Sequence, residues 1–325
     1  MQVKFHRVDL PFANPFRIAY QTSTVANTLR VELTDAPFVG RGEALGVGYH
    51  HETIDSILAQ LLSIRTELSA GISRHELTHL LPPGGARNAI DCALWDLEAK
   101  RTGKRAWELA GLQSVRGLFT DHTIGLDTPE KMAEAAAALR RYSRLKLKLS
   151  GDGDLERVRA VRTARPEAEL IVDANQAWTE DQLRDLAPQL ADVGVRLVEQ
   201  PLPVGKDGAL SSYRSPVPLC ADESCQTADS LADLVGKYQY VNIKLDKTGG
   251  LTEALRLVHE AKQRDMKLMV GCMAGSSLSM APAFIVGQFC EFVDLDGPLL
   301  SAYDIDHPIR YDGGRMHPPE RALWG

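Results

Sequence analysis

The sequence predicts an α/β fold, a (β/α) barrel preceded by a smaller α+β unit. Two observations carry this. From about residue 118 short apolar runs alternate with helical stretches, and eight such runs are present. Charged residues stand at the ends of these runs at even intervals: steps of 25, 26, 23 and 22 residues separate Lys148, Asp173, Glu199, Asp222 and Lys244. A buried strand with its return helix occupies about that length.

The elements follow in order. Residues 2–10 and 28–34 alternate as antiparallel strands do, and GRGEALG supplies turn glycines before another short extended piece. Between Thr53 and Leu68, Ile54, Ile57, Leu58, Leu61 and Leu62 recur at helical spacing. A second helix, ARNAIDCALWDLEAKR, carries Ile90, Ala93, Leu94 and Leu97 on one face. Residues 1–115 therefore form an α+β unit of a small sheet followed by helices. The barrel occupies 116–305, with strands at 119–126, 144–150, 169–175, 195–201, 218–224, 240–247, 267–273 and 292–298. PEKMAEAAAALRRY and LTEALRLVHEAKQR are two of the helices between them. The polar tail, 306–325, with its prolines and glycines, returns to pack on the first unit.

Composition excludes several classes. The 325 residues carry 37 basic and 43 acidic side chains, net −6, without a long basic run, which argues against nucleic-acid binding. No apolar run approaches membrane-spanning length, and the N-terminus lacks a signal peptide's apolar core. The five cysteines, Cys92, Cys220, Cys225, Cys272 and Cys290, form no Cys-x-x-Cys pair and read as free thiols of a cytoplasmic enzyme.

In a barrel of this kind the active site lies at the C-terminal ends of the strands. Asp173, Glu199 and Asp222 come from three consecutive strands about 4.7–4.9 Å apart, so they converge into an all-oxygen site suited to Mg²⁺. Lys146 and Lys148 share one strand face, as do Asp294 and Asp296. A second ammonium beside Lys148 is expected to lower its pKa. Lys244 lies across the barrel from Lys148. Two bases facing each other across a metal-bound carboxylate suit removal of an α-proton on one face and its return on the other.

The motifs Lys-x-Lys, VDAN, EQP, ADES, NIKLDKTGG and DLDGP resemble the enolase superfamily, in its muconate-lactonising subgroup, and within it the dipeptide epimerases of the L-Ala-D/L-Glu type. The Lys and Mg²⁺ pairing is that superfamily's own pattern. The resemblance implies a modified TIM barrel of enolase type with a capping domain completed by the C-terminal tail. It implies Asp173, Glu199 and Asp222 as Mg²⁺ ligands and Lys148 and Lys244 as the two acid/base catalysts. It further implies that Lys146 holds the substrate carboxylate and tunes Lys148, that Asp294 and Asp296 hold the dipeptide ammonium and that Thr123 contacts substrate, and Gln21 is a further candidate contact. The reaction implied is inversion of the C-terminal residue of L-Ala-X dipeptides through a metal-stabilised enediolate, in a cytoplasmic homo-oligomer that serves cell-wall peptide recycling where X is Glu.

The loops implied to read the side chain X are Tyr20–Asn27 and Gly46–Glu52. The first lacks the Arg that pairs a γ-carboxylate in Glu-specific members, although Arg17, Arg30, His50 or His51 can substitute. An unpaired carboxylate in a closed site is costly, which disfavours Glu, and Gln21, Tyr20 and the threonines suit a polar or uncharged X. Competing readings are an N-acylamino-acid racemase, an o-succinylbenzoate synthase or a muconate cycloisomerase on the same fold, a metal-free Schiff-base aldolase, and a phosphate-ester enzyme using GCMAGSS before a helix.

Overall fold

The computed structural model describes residues 1–325. The chain begins with a long hairpin, β1 (Gln2–Ile18) and β2 (Gln21–Asp35), to which β3 (Phe38–Ala44) adds antiparallel in the order β1-β2-β3. Leu29, Val31 and Leu33 of β2 alternate inward, as a half-buried strand requires. They meet α1 (Ile54–Ser63), α2 (Arg65–Ala70), α3 (Arg74–Leu80) and α4 (Gly85–Thr102). A reciprocal Thr53–Ser56 cap starts α1. The single helix expected from Thr53 to Leu68 is two, broken at Ile64.

The glycines of GRGEALG were expected in a turn, but Gly40 and Gly42 lie inside β3. A Cβ on either would stand 2.1 Å from the carbonyl oxygen of Ala93 or Ala89 in α4. Backbone packs on backbone here, which only glycine permits.

A two-residue strand, β4 (Leu118–Phe119), precedes the barrel. The barrel strands are β5 (His122–Ile124), β6 (Arg144–Lys148), β7 (Glu169–Asp173), β8 (Val195–Glu199), β9 (Leu219–Ala221), β10 (Tyr240–Ile243), β11 (Lys267–Val270) and β12 (Phe292–Val293), all parallel and in sequence order. The β12/β5 seam is closed by Asp121 N–H to Val293 O (2.7 Å) and Leu295 N–H to Thr120 Oγ1 (2.8 Å). Strand parity sorts the side chains. Leu170, Val172, Val198, Val241 and Val270 face the helices, whereas Ile171, Leu197, Cys220, Tyr240, Met269 and Phe292 form an apolar plug inside the barrel. Two residues on from that plug stand Asp173, Glu199, Asp222, Asn242 and Asp294.

The last strands, β13 (Tyr311–Asp312) and β14 (Arg315–Met316), pair with β4. Beyond them Trp324 Nε1–H donates to Cys92 O (3.1 Å) and Gly325 N–H to Asp96 Oδ1 (2.7 Å), both on α4.

Candidate active site

The expected strands run two or more residues past the observed ends: β6, β7 and β8 stop at Lys148, Asp173 and Glu199, and the chain turns out of the sheet there. Asn175 and Gln176, two and three residues after Asp173, and Gln200, directly after Glu199, adopt left-handed φ values of 42°, 68° and 32°. Lys148, Asp173 and Glu199 are register partners across β6, β7 and β8. Asp222, Lys244, Asp294 and Asp296 lie just beyond their strands. All of these are buried, with Asp173 and Glu199 at 0 % exposure beneath the cavity floor.

Each acidic residue of the triad has one oxygen tied to a fixed donor and the other turned to lysine. Asp173 Oδ1 accepts from Asn175 N–H (2.9 Å), and its Oδ2 meets Lys148 Nζ (2.6 Å) and Lys146 Nζ (3.2 Å). Glu199 Oε1 accepts from Asn242 Nδ2–H (2.8 Å), and its Oε2 meets Lys146 Nζ (2.7 Å). Asp222 Oδ1 accepts from Lys247 Nζ (2.6 Å), and its Oδ2 meets Lys244 Nζ (2.7 Å). The candidate ligand atoms lie within 4.8 Å of one another. Three inward carboxylate oxygens, with Glu199 Oε2 lacking any aligned hydrogen bond, fit a small hard cation.

Burial lifts the Glu199 carboxyl to about 7, helped by the Asp173 charge. Burial also opposes ionisation of Asp222, but Lys244 and Lys247 outweigh it and hold that carboxyl far below its usual range. Lys146 and Lys148 stand side by side as their strand parity predicts, and a carboxylate lies between them. Asp173 Oδ2 bonds both, and burial of Lys146 is overcome by Asp294, Glu199 and Asp173, which push its pKa well up. Lys244 is likewise raised, with Asp222 and Glu199 outweighing burial.

On the other side Asp294 Oδ2 meets Lys146 (2.7 Å), Thr123 Oγ1 donates to Asp294 Oδ1 (3.4 Å) and Thr123 N–H to Asp296 Oδ2 (2.6 Å). Burial and the Asp294 charge lift Asp296 to about 7. A cavity of about 910 Å³ opens above, lined by Thr123, Lys146, Lys148, Asp222, Lys244, Asp294 and Asp296 from the barrel and by Tyr20, Gln21 and Tyr49 from the cap.

Of Tyr20–Asn27, Tyr20 stands in the hairpin turn and the rest is the start of β2 rather than a loop. Its alternating Thr, Ser and Val residues continue the ladder, with Ile18 opposite Gln21 and Phe16 opposite Ser23. Gln21 Nε2–H donates to Ser23 Oγ (2.5 Å) on the cavity wall. Gly46–Glu52 contains a single 3-10 turn, Gly48–His50. Neither Arg17 nor Arg30 lines the cavity: they bond Thr22 (3.3 Å) and Glu43 (2.7 Å). His50 faces Gln226 (2.9 Å) and His51 is exposed, both outside the cavity wall. The helix start after GCMAGSS is already taken by carboxylates. Ser276 N–H donates to Glu43 (2.8 Å) and Ser277 N–H to Asp304 (2.9 Å), which removes the phosphate reading.

Two family models match the chain: the mandelate racemase/muconate lactonizing enzyme N-terminal domain over residues 1–111, and the enolase C-terminal domain-like model over 130–322. The chain belongs to the enolase superfamily. Among its relatives are the L-Ala-D/L-Glu epimerase of Escherichia coli K12, 41% identical over 97% of this chain and 99% of that protein, and an N-acetyl-D-glutamate racemase of Pseudoalteromonas sp., 41% identical over 91% and 94%. A solved enolase family member from Agrobacterium tumefaciens, with bound sodium and L-Ala-L-Glu, superposes with a TM-score of 0.97 at 43% identity, covering 99% of both chains.

For this superfamily member, sequence reasoning missed the donors behind the triad carboxylates: Asn242, Lys247, Asn175 and Gln200. Asn242 was legible by parity, two residues before Lys244 and facing inward. Lys247 was not, because a turn after β10 swings it back to Asp222.

Proposed function

We propose that this protein is a Mg²⁺-dependent epimerase of L-Ala-X dipeptides, inverting the α-carbon of the C-terminal residue. The observation that carries the reading is that Lys148 and Lys244 approach the acidic triad from opposite strands, β6 and β10, each bonded to a different outer carboxylate. Asp173, Glu199 and Asp222 hold the ion. When bound, Mg²⁺ stabilises the negative charge that develops on the substrate carboxylate.

Lys148 removes the α-proton from one face and Lys244 delivers one to the other, with the roles exchanged for the opposite epimer. Lys146 orients the substrate carboxylate and supports Lys148. Asp294 and Asp296, set by Thr123, bind the ammonium of the N-terminal residue. Gln21 and Tyr20 face the side chain X, and because the guanidinium on the cavity wall, that of Arg7, is paired with Asp55, a polar or uncharged X is favoured. In the same reading the chain divides into a capping unit (1–115), a catalytic barrel (116–305) and a tail (306–325). The enzyme works as a homo-oligomer in the cytoplasm, and where X extends to Glu it recycles cell-wall peptides.

The test is deuterium uptake at Cα in D₂O with Mg²⁺, followed by mass spectrometry over a library of L-Ala-L-X dipeptides. One deuterium gained on particular members is expected. No uptake on any member would remove the dipeptide assignment. The Pseudoalteromonas relative favours a second reading, racemisation of N-acylated amino acids. Such substrates offer no ammonium to Asp294 and Asp296, and faster exchange on N-acetyl amino acids than on dipeptides would establish it.

A further inference from the structure

Gln200 is buried at 0 % exposure and follows Glu199 directly. Its backbone takes the left-handed conformation at φ 32°, which a residue with a Cβ rarely adopts. Strain of this sort persists where the surroundings over-determine it, and here they do. Gln200 N–H donates to Cys220 O (2.8 Å) and Gln200 O accepts from Gln176 N–H (2.8 Å). Its side-chain Oε1 accepts from Asp222 N–H (2.8 Å) and Ser224 N–H (3.1 Å). Its Nε2 donates to Leu202 O (2.8 Å), Ser224 Oγ (3.0 Å) and Tyr238 Oη (3.3 Å). One residue therefore joins the segments that carry all three triad carboxylates: Asp173 through Gln176, Glu199 by direct succession, and Asp222 through its own amide.

The consequence is sharpest at Asp222. Its N–H is held by Gln200, and its main-chain O and Oδ1 by Lys247 (2.5 and 2.6 Å). Only Oδ2 faces the catalytic lysine Lys244. We infer that Gln200 is a positioning residue for the metal centre: it fixes the spacing of the three ligand-bearing strand ends so that Asp222 presents Oδ2 to the ion. This rests on the metal reading of the triad given above. Groups that orient ligands in this way typically contribute a large share of metal affinity.

The test is calorimetric titration of Mg²⁺ into the metal-free full chain, without substrate, for wild type, Gln200→Met and Tyr238→Phe. Methionine keeps the length and neutrality of Gln200 but cannot hold the Asp222 amide. Phenylalanine at 238 removes one partner of the same side chain and leaves the Asp222 contact intact. Gln200→Met is expected to weaken Mg²⁺ binding about 10–100-fold, with Tyr238→Phe close to wild type, although both lower Tm. Wild-type affinity in Gln200→Met, or equal weakening in Tyr238→Phe, overturns the inference. Failure of the metal reading looks different: wild type itself then shows no saturable Mg²⁺ binding that Asp173→Asn abolishes. Should Gln200→Met not fold, amide hydrogen exchange in wild type decides. Strong protection of Asp222 N–H in the metal-free protein is expected, and exchange at the rate of an open amide overturns the clamp.

Discussion

Lys148 and Lys244 stand at the ends of opposite strands, and in the proposed mechanism removal of either leaves half of a two-base device. Lys148→Ala and Lys244→Ala are each expected to lower epimerisation by about 10²–10⁴-fold, with deuterium exchange surviving in one epimer only, read by chiral chromatography of the exchanged dipeptide. Loss of neither exchange reaction in the two variants would remove their assignment as bases. His122 makes a different residue-scale prediction. It stacks on Tyr142 with centroids 4.4 Å apart, and its buried Nδ1 has no partner. Burial, then the Arg141 charge, push its pKa down to about 4 from 6.5. Between those values the unfolded chain binds more protons than the native one. The contribution of His122 is therefore whole above about pH 6.5 and is lost as pH falls towards 4, a loss of about 3 kcal/mol. Urea denaturation at pH 7.5 and 5.0 checks this, with His122→Phe expected to lose less stability than wild type over the interval.

At the scale of elements, close approach governs. Gly42→Ala places a Cβ against the Ala89 carbonyl of α4, and a rigid helix backbone cannot yield as a side chain can. A cost of about 3 kcal/mol is expected, measured as a lowered denaturation midpoint. Unchanged stability would mean that α4 rides further from β3 than described. This is also where sequence reading ran out. The alternation of Leu29, Val31 and Leu33 announced a half-buried strand, but nothing local to GRGEALG told a turn glycine from one lying beneath a helix. The Tyr20–Asn27 segment failed for a related reason, since its extension as a strand tip depends on pairing with Phe16–Ile18 across the hairpin. By contrast, the helices PEKMAEAAAALRRY and LTEALRLVHEAKQR were legible, because their apolar spacing is an intrinsic property of the segment.

For the whole molecule, three buried carboxylates placed this close gain stability from a cation that the unfolded chain cannot hold. Mg²⁺ at about 100 times its Kd is expected to add about 2.7 kcal/mol, seen as a rise in Tm that EDTA reverses and that Asp173→Asn abolishes. A Tm indifferent to Mg²⁺ in wild type would count against the triad as the site. The tail matters at the same scale. Trp324 is 1 % exposed and reaches Cys92 on α4 from the far end of the chain. Trp324→Ala is expected to cost about 3–5 kcal/mol and to loosen the tail from α4, detectable as faster amide exchange around Cys92.

The sequence by itself determined the barrel and which charged residues stand at its strand ends: Lys148, Asp173, Glu199, Asp222, Lys244, Asp294 and Asp296. Those properties follow from strand parity and from charged residues recurring at the length of one β/α unit, both readable along the chain. Tertiary structure alone decided what each carboxylate does with its second oxygen. Lys247, Asn175 and the bridging Gln200 reach the triad through a turn or a left-handed backbone. Such contacts are set by where the strand ends meet in space, and no spacing along the sequence encodes them.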